Sequence, residues 1–217
     1  MKILVVGEKS SFKECQEKFG ANHTCVHMEN HNGLEKGKSS IDIIFDFTDI
    51  VGFPSFSDAT VPVFFNAYKL SLAQRFSENP PTAPALAFGF NGMPTLFNKE
   101  LLEVSAYRSD SVDQLKKIMA ALNTDFQIVD DRVGMVTPRV ICMIINEAYF
   151  TVQEKTASRE DIDIAMKLGT NYPFGPFEWC QRIGIKNVYE LLEAMYEDTH
   201  DERYKICPLL KREYLLG

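Results

Sequence analysis

The chain has 217 residues, 45% hydrophobic and 24% charged, enough to bury one large core or two modest ones. Its formal net charge of −7 argues against nucleic acid as a partner, because phosphate binding wants a basic face. No apolar run reaches the roughly 18 residues of a membrane span, and the strand-like opening leaves no room for a secretory leader. Cys15, Cys25, Cys142, Cys180 and Cys207 form no C-x-x-C pair and read as reduced thiols of a cytoplasmic protein.

Lys2-Ile3-Leu4-Val5-Val6-Gly7 is a short apolar run ending in glycine, the pattern of a buried parallel strand. Ser10 or Ser11 is placed to cap a helix running to about Phe19, with Gly20 ending it. Further strands are predicted over 23–28, 41–47, 61–65, 85–90, 101–107 and 126–129, with Glu29 just past the second. Ser111 is placed to cap a helix with Val112, Leu115, Met119 and Leu122 on one face. Strands alternating with helices predict a mostly parallel α/β sheet. The polar link 30–40 is shorter than the dozen or more residues of a usual parallel crossover, so residues 1–131 read as a trimmed sheet domain.

Residues 132–217 read as all-helical. Pro138 opens a long helix that is apolar most of the way round and therefore buried, centrally or against a second copy. Asn146 and Glu147 within it read as structural polar contacts between helices. Ser158 and Asp161 form a capping box, Ile162, Ala165 and Met166 give the next helix its apolar face, and Gly169 is expected to stop it. Residues 171–176 place two prolines around a glycine and predict a rigid elbow. Pro176 restarts a helix that Gly184 closes, and Trp179 with its phenylalanine neighbours reads as core. Asn187 is expected to cap the helix bearing Val188, Leu191, Leu192, Met195 and Tyr196, and 207–216 form a last short helix. His23, His27 and His31 recur every fourth residue, but they straddle a turn, a strand and a loop, so no metal site is assigned to them.

V-G-M-V-T-P-R-V-I (133–141), N-E-A (146–148), E-D-I-D-I-A-M-K-L-G (160–169) and P-F-G-P-F-E (173–178) resemble the 3-hydroxyacyl-CoA dehydrogenases of fatty-acid oxidation. The likeness covers nearly all of 133–217 and is only an outline over 1–130. It implies a Rossmann-like α/β domain followed by a helical dimerisation domain, hence a homodimer with an acyl-CoA ligand. It also implies NAD taking hydride from C3 of a 3-hydroxyacyl thioester, while a histidine held by a glutamate accepts the hydroxyl proton.

The resemblance places the cofactor positions at Gly7 and Glu29. The G-x-G-x-x-G turn reads Gly7-Glu8-Lys9-Ser10-Ser11-Phe12, which loses two glycines and adds a negative charge, so the expectation is a turn that binds no dinucleotide. F-G-F-N-G (88–92) keeps Asn91 but carries Phe88 where the histidine belongs. L-L-E-V (101–104) keeps Glu103, the remaining catalytic candidate. Tyr68 or Lys69 stands near the family's serine and Pro138 replaces its asparagine, leaving Asn91, Tyr68 and Arg139 as substrate-binding candidates. The family's tail, K-x-G-x-G-F-Y, is not found after Leu215-Leu216-Gly217. The resulting expectation is a relative whose redox chemistry has decayed into acyl-CoA binding or a scaffold. The alternative is an active dehydrogenase with Tyr68, Lys69 or Glu103 as its base.

Overall fold

A computed structural model describes residues 1–31, 40–49, 60–81, 83 and 86–217, so most of the predicted link 30–40 lies outside the described residues. The chain divides into two compact units, Met1–Met135 and Val136–Gly217.

The first unit is built on β1 (Lys2–Val6), β2 (Thr24–Met28), β3 (Ile43–Asp46), β4 (Val63–Asn66), β5 (Ala87–Phe90), β6 (Leu101–Ala106) and β7 (Asp125–Ile128). They form a single sheet in the order β2-β1-β3-β4-β5-β6-β7. Every neighbouring pair is parallel except β5–β6. The exception follows from chain length. Residues 91–100 are too few for a parallel crossover, so β6 turns back against β5. The mixed, mostly parallel Rossmann-like sheet read from the sequence is the one observed.

Both faces of the sheet are covered, which is why β1, β3, β4 and β5 read as continuous apolar runs. On one face α1 (Lys9–Phe19) and α3 (Val112–Leu122) enclose Phe45, Phe64, Phe88, Phe90 and Phe97. The rings of Phe45 and Phe64 stack at 4.9 Å, and Phe45 meets Phe90 edge-on at 5.2 Å. The short α2 (Leu72–Arg75) packs with Phe65 and Phe76 on the other face.

Two cap expectations are corrected in this unit. The N-cap of α1 is Glu8, so Ser10 and Ser11 lie inside its first turn. Ser111 closes a single 3-10 turn and makes no side-chain cap to α3, its hydroxyl donating instead to the Arg108 carbonyl at 2.6 Å.

The second unit comprises α4 (Thr137–Gln153), α5 (Arg159–Thr170), α6 (Pro176–Ile183), α7 (Ile185–Thr199) and α8 (Pro208–Leu216). Ser158 caps α5 as its sequence predicts, accepting from the Asp161 N–H at 3.1 Å. Gly169 does not end α5. The helix runs to Thr170, and Asn171 takes the left-handed conformation at φ 56°. Pro176 opens α6, and Gly184 follows it at φ 89°, where an L side chain would be strained. Asn187 sits within α7 rather than at its N-cap, and its amide donates back to the Ile183 carbonyl at 2.9 Å. Among the described residues, no helix is long and apolar enough to cross a membrane.

Candidate functional site

In an open parallel sheet, ligands bind beyond the carboxyl ends of the strands where the strand order reverses. Here β1 lies between β2 and β3, so that point is the crevice above the ends of β1 and β3. Gly7 follows β1 with φ 145°, and a Cβ there would stand 2.9 Å from the Cβ of Phe47, so only glycine fits. Its N–H donates to the Met28 carbonyl at 2.9 Å, which sets Gly7 beside Glu29, an exposed residue just past β2.

The start of α1 departs from a phosphate cradle. Glu8 is its exposed N-cap, placing a carboxylate where helix N–H groups favour an anion. Phe12, at the third glycine position, stacks on His27 with ring centres 5.0 Å apart. The Nε2–H of His27 donates to the Gly7 carbonyl at 2.8 Å, which fixes its tautomer. Lys9 is exposed.

Beyond β3 and β4 lies a polar network, buried at Asp46, Asn66 and Arg75 and exposed at Asp49, that sequence reasoning missed. Asp46 ends β3 at 2% exposure, and its Oδ1 accepts from the Thr48 N–H at 2.9 Å and hydroxyl at 2.7 Å. His31 Nε2 reaches the Asp46 Oδ2 at 3.1 Å. Asn66 donates to Asp49 at 3.2 Å and accepts from the Gly92 N–H at 3.1 Å, while Lys69 pairs with Asp49 at 3.1 Å. Arg75 donates to the carbonyls of Thr48 at 3.0 Å and Asn66 at 3.4 Å. Burial draws its guanidinium pKa down, and the charges of Asp46 and Asp49 push it back up. The available signal was Asp46 itself, a charge closing an otherwise apolar strand, which must find partners if buried.

Of the sequence-derived candidates, Asn91 and Glu103 come together. Asn91 continues β5, its N–H donates to the Glu103 carbonyl at 3.0 Å, and both side chains are buried. The Asn91 carboxamide oxygen accepts from the Met93 N–H at 3.1 Å. On the same face the Ser105 hydroxyl lies where a Cβ on Gly89 would approach it to 2.3 Å. Phe88 belongs to the opposite face, fully buried, its ring 5.2 Å from that of Phe64. Tyr68 is buried at the end of β4 with its carbonyl accepting from the Gly134 N–H at 2.7 Å, and the Lys69 ammonium stands 5.1 Å from its ring centre. Arg139 belongs to the helical unit, where its guanidinium bonds the Tyr204 hydroxyl and lies over that ring.

The three histidines serve three separate partners. His23 reaches the Leu122 carbonyl at 3.2 Å, His27 that of Gly7 and His31 the Asp46 carboxylate. Asn146 is a structural contact between chain segments: its amide donates to the Lys205 carbonyl and its oxygen accepts from the Cys207 N–H, both at 2.9 Å. Glu147, read with it as a helix contact, is instead exposed.

Within the helical unit a cleft of about 490 Å³ is lined by Tyr149, Arg159, Asp163, Phe177, Glu178 and Cys180 among others. Its polar groups are engaged with one another. Arg159 pairs with Glu213, which accepts from the Tyr149 hydroxyl at 3.0 Å, and the guanidinium stacks over Tyr149 and Phe177 at 5.2 and 5.0 Å. Burial first, then the neighbouring Cys180 and Glu213, push the Tyr149 hydroxyl pKa well above its ordinary value.

The sequence profile of the 3-hydroxyacyl-CoA dehydrogenase C-terminal domain matches residues 134–217. The 3-hydroxyadipyl-CoA dehydrogenase of Escherichia coli (strain K12) is 43% identical over 88 residues, covering 41% of this chain and 18% of that protein. A 3-hydroxybutyryl-CoA dehydrogenase of Bradyrhizobium diazoefficiens is 31% identical over 120 residues, 55% of this chain and 41% of the relative. The chain thus spans less than half the length of either relative. Among solved structures, (S)-3-hydroxybutyryl-CoA dehydrogenase from Ralstonia eutropha shares the fold, with a TM-score of 0.76 over 100% of this chain and 94% of that one at 18% identity.

Proposed function

We propose that this chain, whose residues 134–217 belong to the 3-hydroxyacyl-CoA dehydrogenase C-terminal domain family, holds an acyl-CoA thioester as a homodimer and passes no hydride to NAD. The observation that carries the reading is Phe88. At the position where the resemblance puts the proton-accepting histidine, a phenyl ring with 0% exposure packs into the aromatic core. It accepts no proton, and C3 of a 3-hydroxyacyl group does not release hydride unless its hydroxyl is deprotonated.

The first turn supports the same conclusion. A dinucleotide needs bare backbone at the pyrophosphate and a helix N-terminus free of negative charge. Phe12 on His27 and Glu8 at the N-cap supply the opposite, so these residues do not fit the cofactor. Asn91 and Glu103, buried side by side, are the groups left to hold the thioester end of a ligand, with Tyr68 as the third candidate. For the homodimer, the support is α5. None of its residues is buried, and it presents Ile164 at 52% and Leu168 at 83% exposure, alongside Val140 of α4 at 51%. Five unbridged thiols support the cytoplasm as the compartment.

A second reading, an active dehydrogenase with an unusual turn and base, is favoured by the same Asn91–Glu103 adjacency and by Gly7 lying beside Glu29. Calorimetric titration of the full chain with NADH, alone and with acetoacetyl-CoA, separates the two. The proposal expects a saturable thioester signal and none from NADH. NADH binding that tightens with the thioester would overturn it, and Glu103→Gln should then abolish turnover. Silence from both ligands would leave only the dimer, to be read by light scattering.

A further inference from the structure

Cys25 lies on β2, the edge strand of the sheet, half-buried and turned toward α1. Cys15 lies on α1, fully buried in the core cluster against which Cys25 packs. The Cys25 Sγ donates to the Cys15 carbonyl at 4.0 Å, which places the two cysteines side by side across α1 and β2. The other cysteines, Cys142, Cys180 and Cys207, belong to the helical unit. We propose that Cys15 and Cys25 are an oxidation site, closing to a reversible disulfide when the protein meets a peroxide.

The neighbouring Cys15 thiol draws the Cys25 pKa down to about 7, with burial opposing. Cys15 is correspondingly pushed up, by Cys25 and by burial, with Lys18 on the same helix opposing weakly. The histidines nearest in sequence face elsewhere, His23 to the Leu122 carbonyl and His27 to that of Gly7. The pair is thus asymmetric, with a half-buried nucleophile backed by a buried resolving thiol.

The chemistry balances. The Cys25 thiolate attacks one oxygen of hydrogen peroxide, the O–O bond breaks, and Cys25 becomes a sulfenic acid as hydroxide leaves. Cys15 then attacks that sulfur, the S–O bond breaks, and the hydroxyl departs as water with the Cys15 proton. Two thiols are oxidised by two electrons and one peroxide is reduced to two waters. The product ties α1, which starts from the Gly7 turn, to the edge strand.

The test treats the full chain with hydrogen peroxide, then counts thiols under denaturing alkylation and maps linked peptides by mass without reductant. The expected result is loss of two of the five thiols, a Cys15–Cys25 linked peptide, and recovery with dithiothreitol. The rate should rise about tenfold from pH 6 to pH 8, as the thiolate fraction of a group titrating near 7 does. Cys25→Ser should keep all its thiols, and Cys15→Ala should stop at a sulfenic acid that dimedone traps on Cys25. A wild-type chain that keeps five thiols, links a different pair, or oxidises Cys25 while Cys15 stays reduced would overturn the proposal. Circular dichroism of each variant confirms that it is folded before the count is read.

Discussion

The two units differ in how far they resemble the 3-hydroxyacyl-CoA dehydrogenases, the C-terminal domain profile of that family matching residues 134–217. In the helical unit, the segment most like the family is a set of joints. The Asp163 carboxylate accepts from the N–H groups of Phe177 at 2.8 Å and Glu178 at 3.2 Å, capping α6 from a neighbouring helix. Glu178 in turn accepts from the Gly175 N–H at 3.1 Å, and a Cβ on Gly175 would strike the Asp163 Oδ1 at 2.2 Å. Those identities are needed to make the elbow, whatever the protein does. In the sheet unit, Phe88, at the position the resemblance gives to the histidine, is better strand and better core than a histidine would be. Likeness in the helices therefore certifies architecture, while the departures in the sheet bear on activity.

The sheet unit's stability should rest most heavily on its buried charges. Replacing Arg75 with Met removes the buried cation beside Asp46 and takes a donor from the carbonyls of Thr48 and Asn66, while Asp49, which is exposed, keeps Lys69. The expected loss is about 3–5 kcal/mol in urea denaturation followed by circular dichroism. A loss below about 1 kcal/mol, the worth of a surface pair, would mean that the network does not hold the strand ends together.

Phe88→His tests the proposal that this chain lacks the base of a dehydrogenase. An imidazole in that aromatic layer gives up ring packing against Phe64 and buries polar nitrogens, so the expected cost is about 2–4 kcal/mol. On the proposed reading no oxidation of 3-hydroxybutyryl-CoA with NAD should appear, because Phe12 and Glu8 still stand in the first turn. Turnover in this variant would show that the turn accepts the dinucleotide after all.

What was legible in the sequence was local. The β1 run, the Ser158 cap and the Pro176 start each depend on neighbours a few residues away, and the structure has them where pattern put them. Cap residues were less secure. Ser10, Ser111 and Asn187 have the right chemistry, but an N-cap also needs extended backbone dihedrals. The helices near Ser10 and Asn187 begin earlier, while Ser111 has φ −92° and ψ 0° and lies in the turn before its helix. The Asp46 network was not legible, because it joins residues from positions 31 to 92 that only the strand order brings together. The contact of Asn91 with Glu103 likewise depends on β6 running antiparallel, which the short link explains once the strands are known. Pairing of Cys15 with Cys25 needs both the helix phase and the strand face.

The smallest effect concerns the helical unit. Asp163→Asn keeps the side chain's shape and one acceptor oxygen but loses the second acceptor and the negative charge at the start of α6. About 1 kcal/mol should be lost in thermal unfolding, a little more for Asp163→Ala, which removes both acceptors. Because Asp163 also lines the cleft beside Arg159, the same variants test whether the elbow is architecture alone. If it is, acetoacetyl-CoA should bind both variants as it binds the parent at temperatures where all three are folded. A variant that melts like the parent but has lost the thioester would make Asp163 a ligand group, and the family likeness of the helical unit would then speak to chemistry as well as to shape.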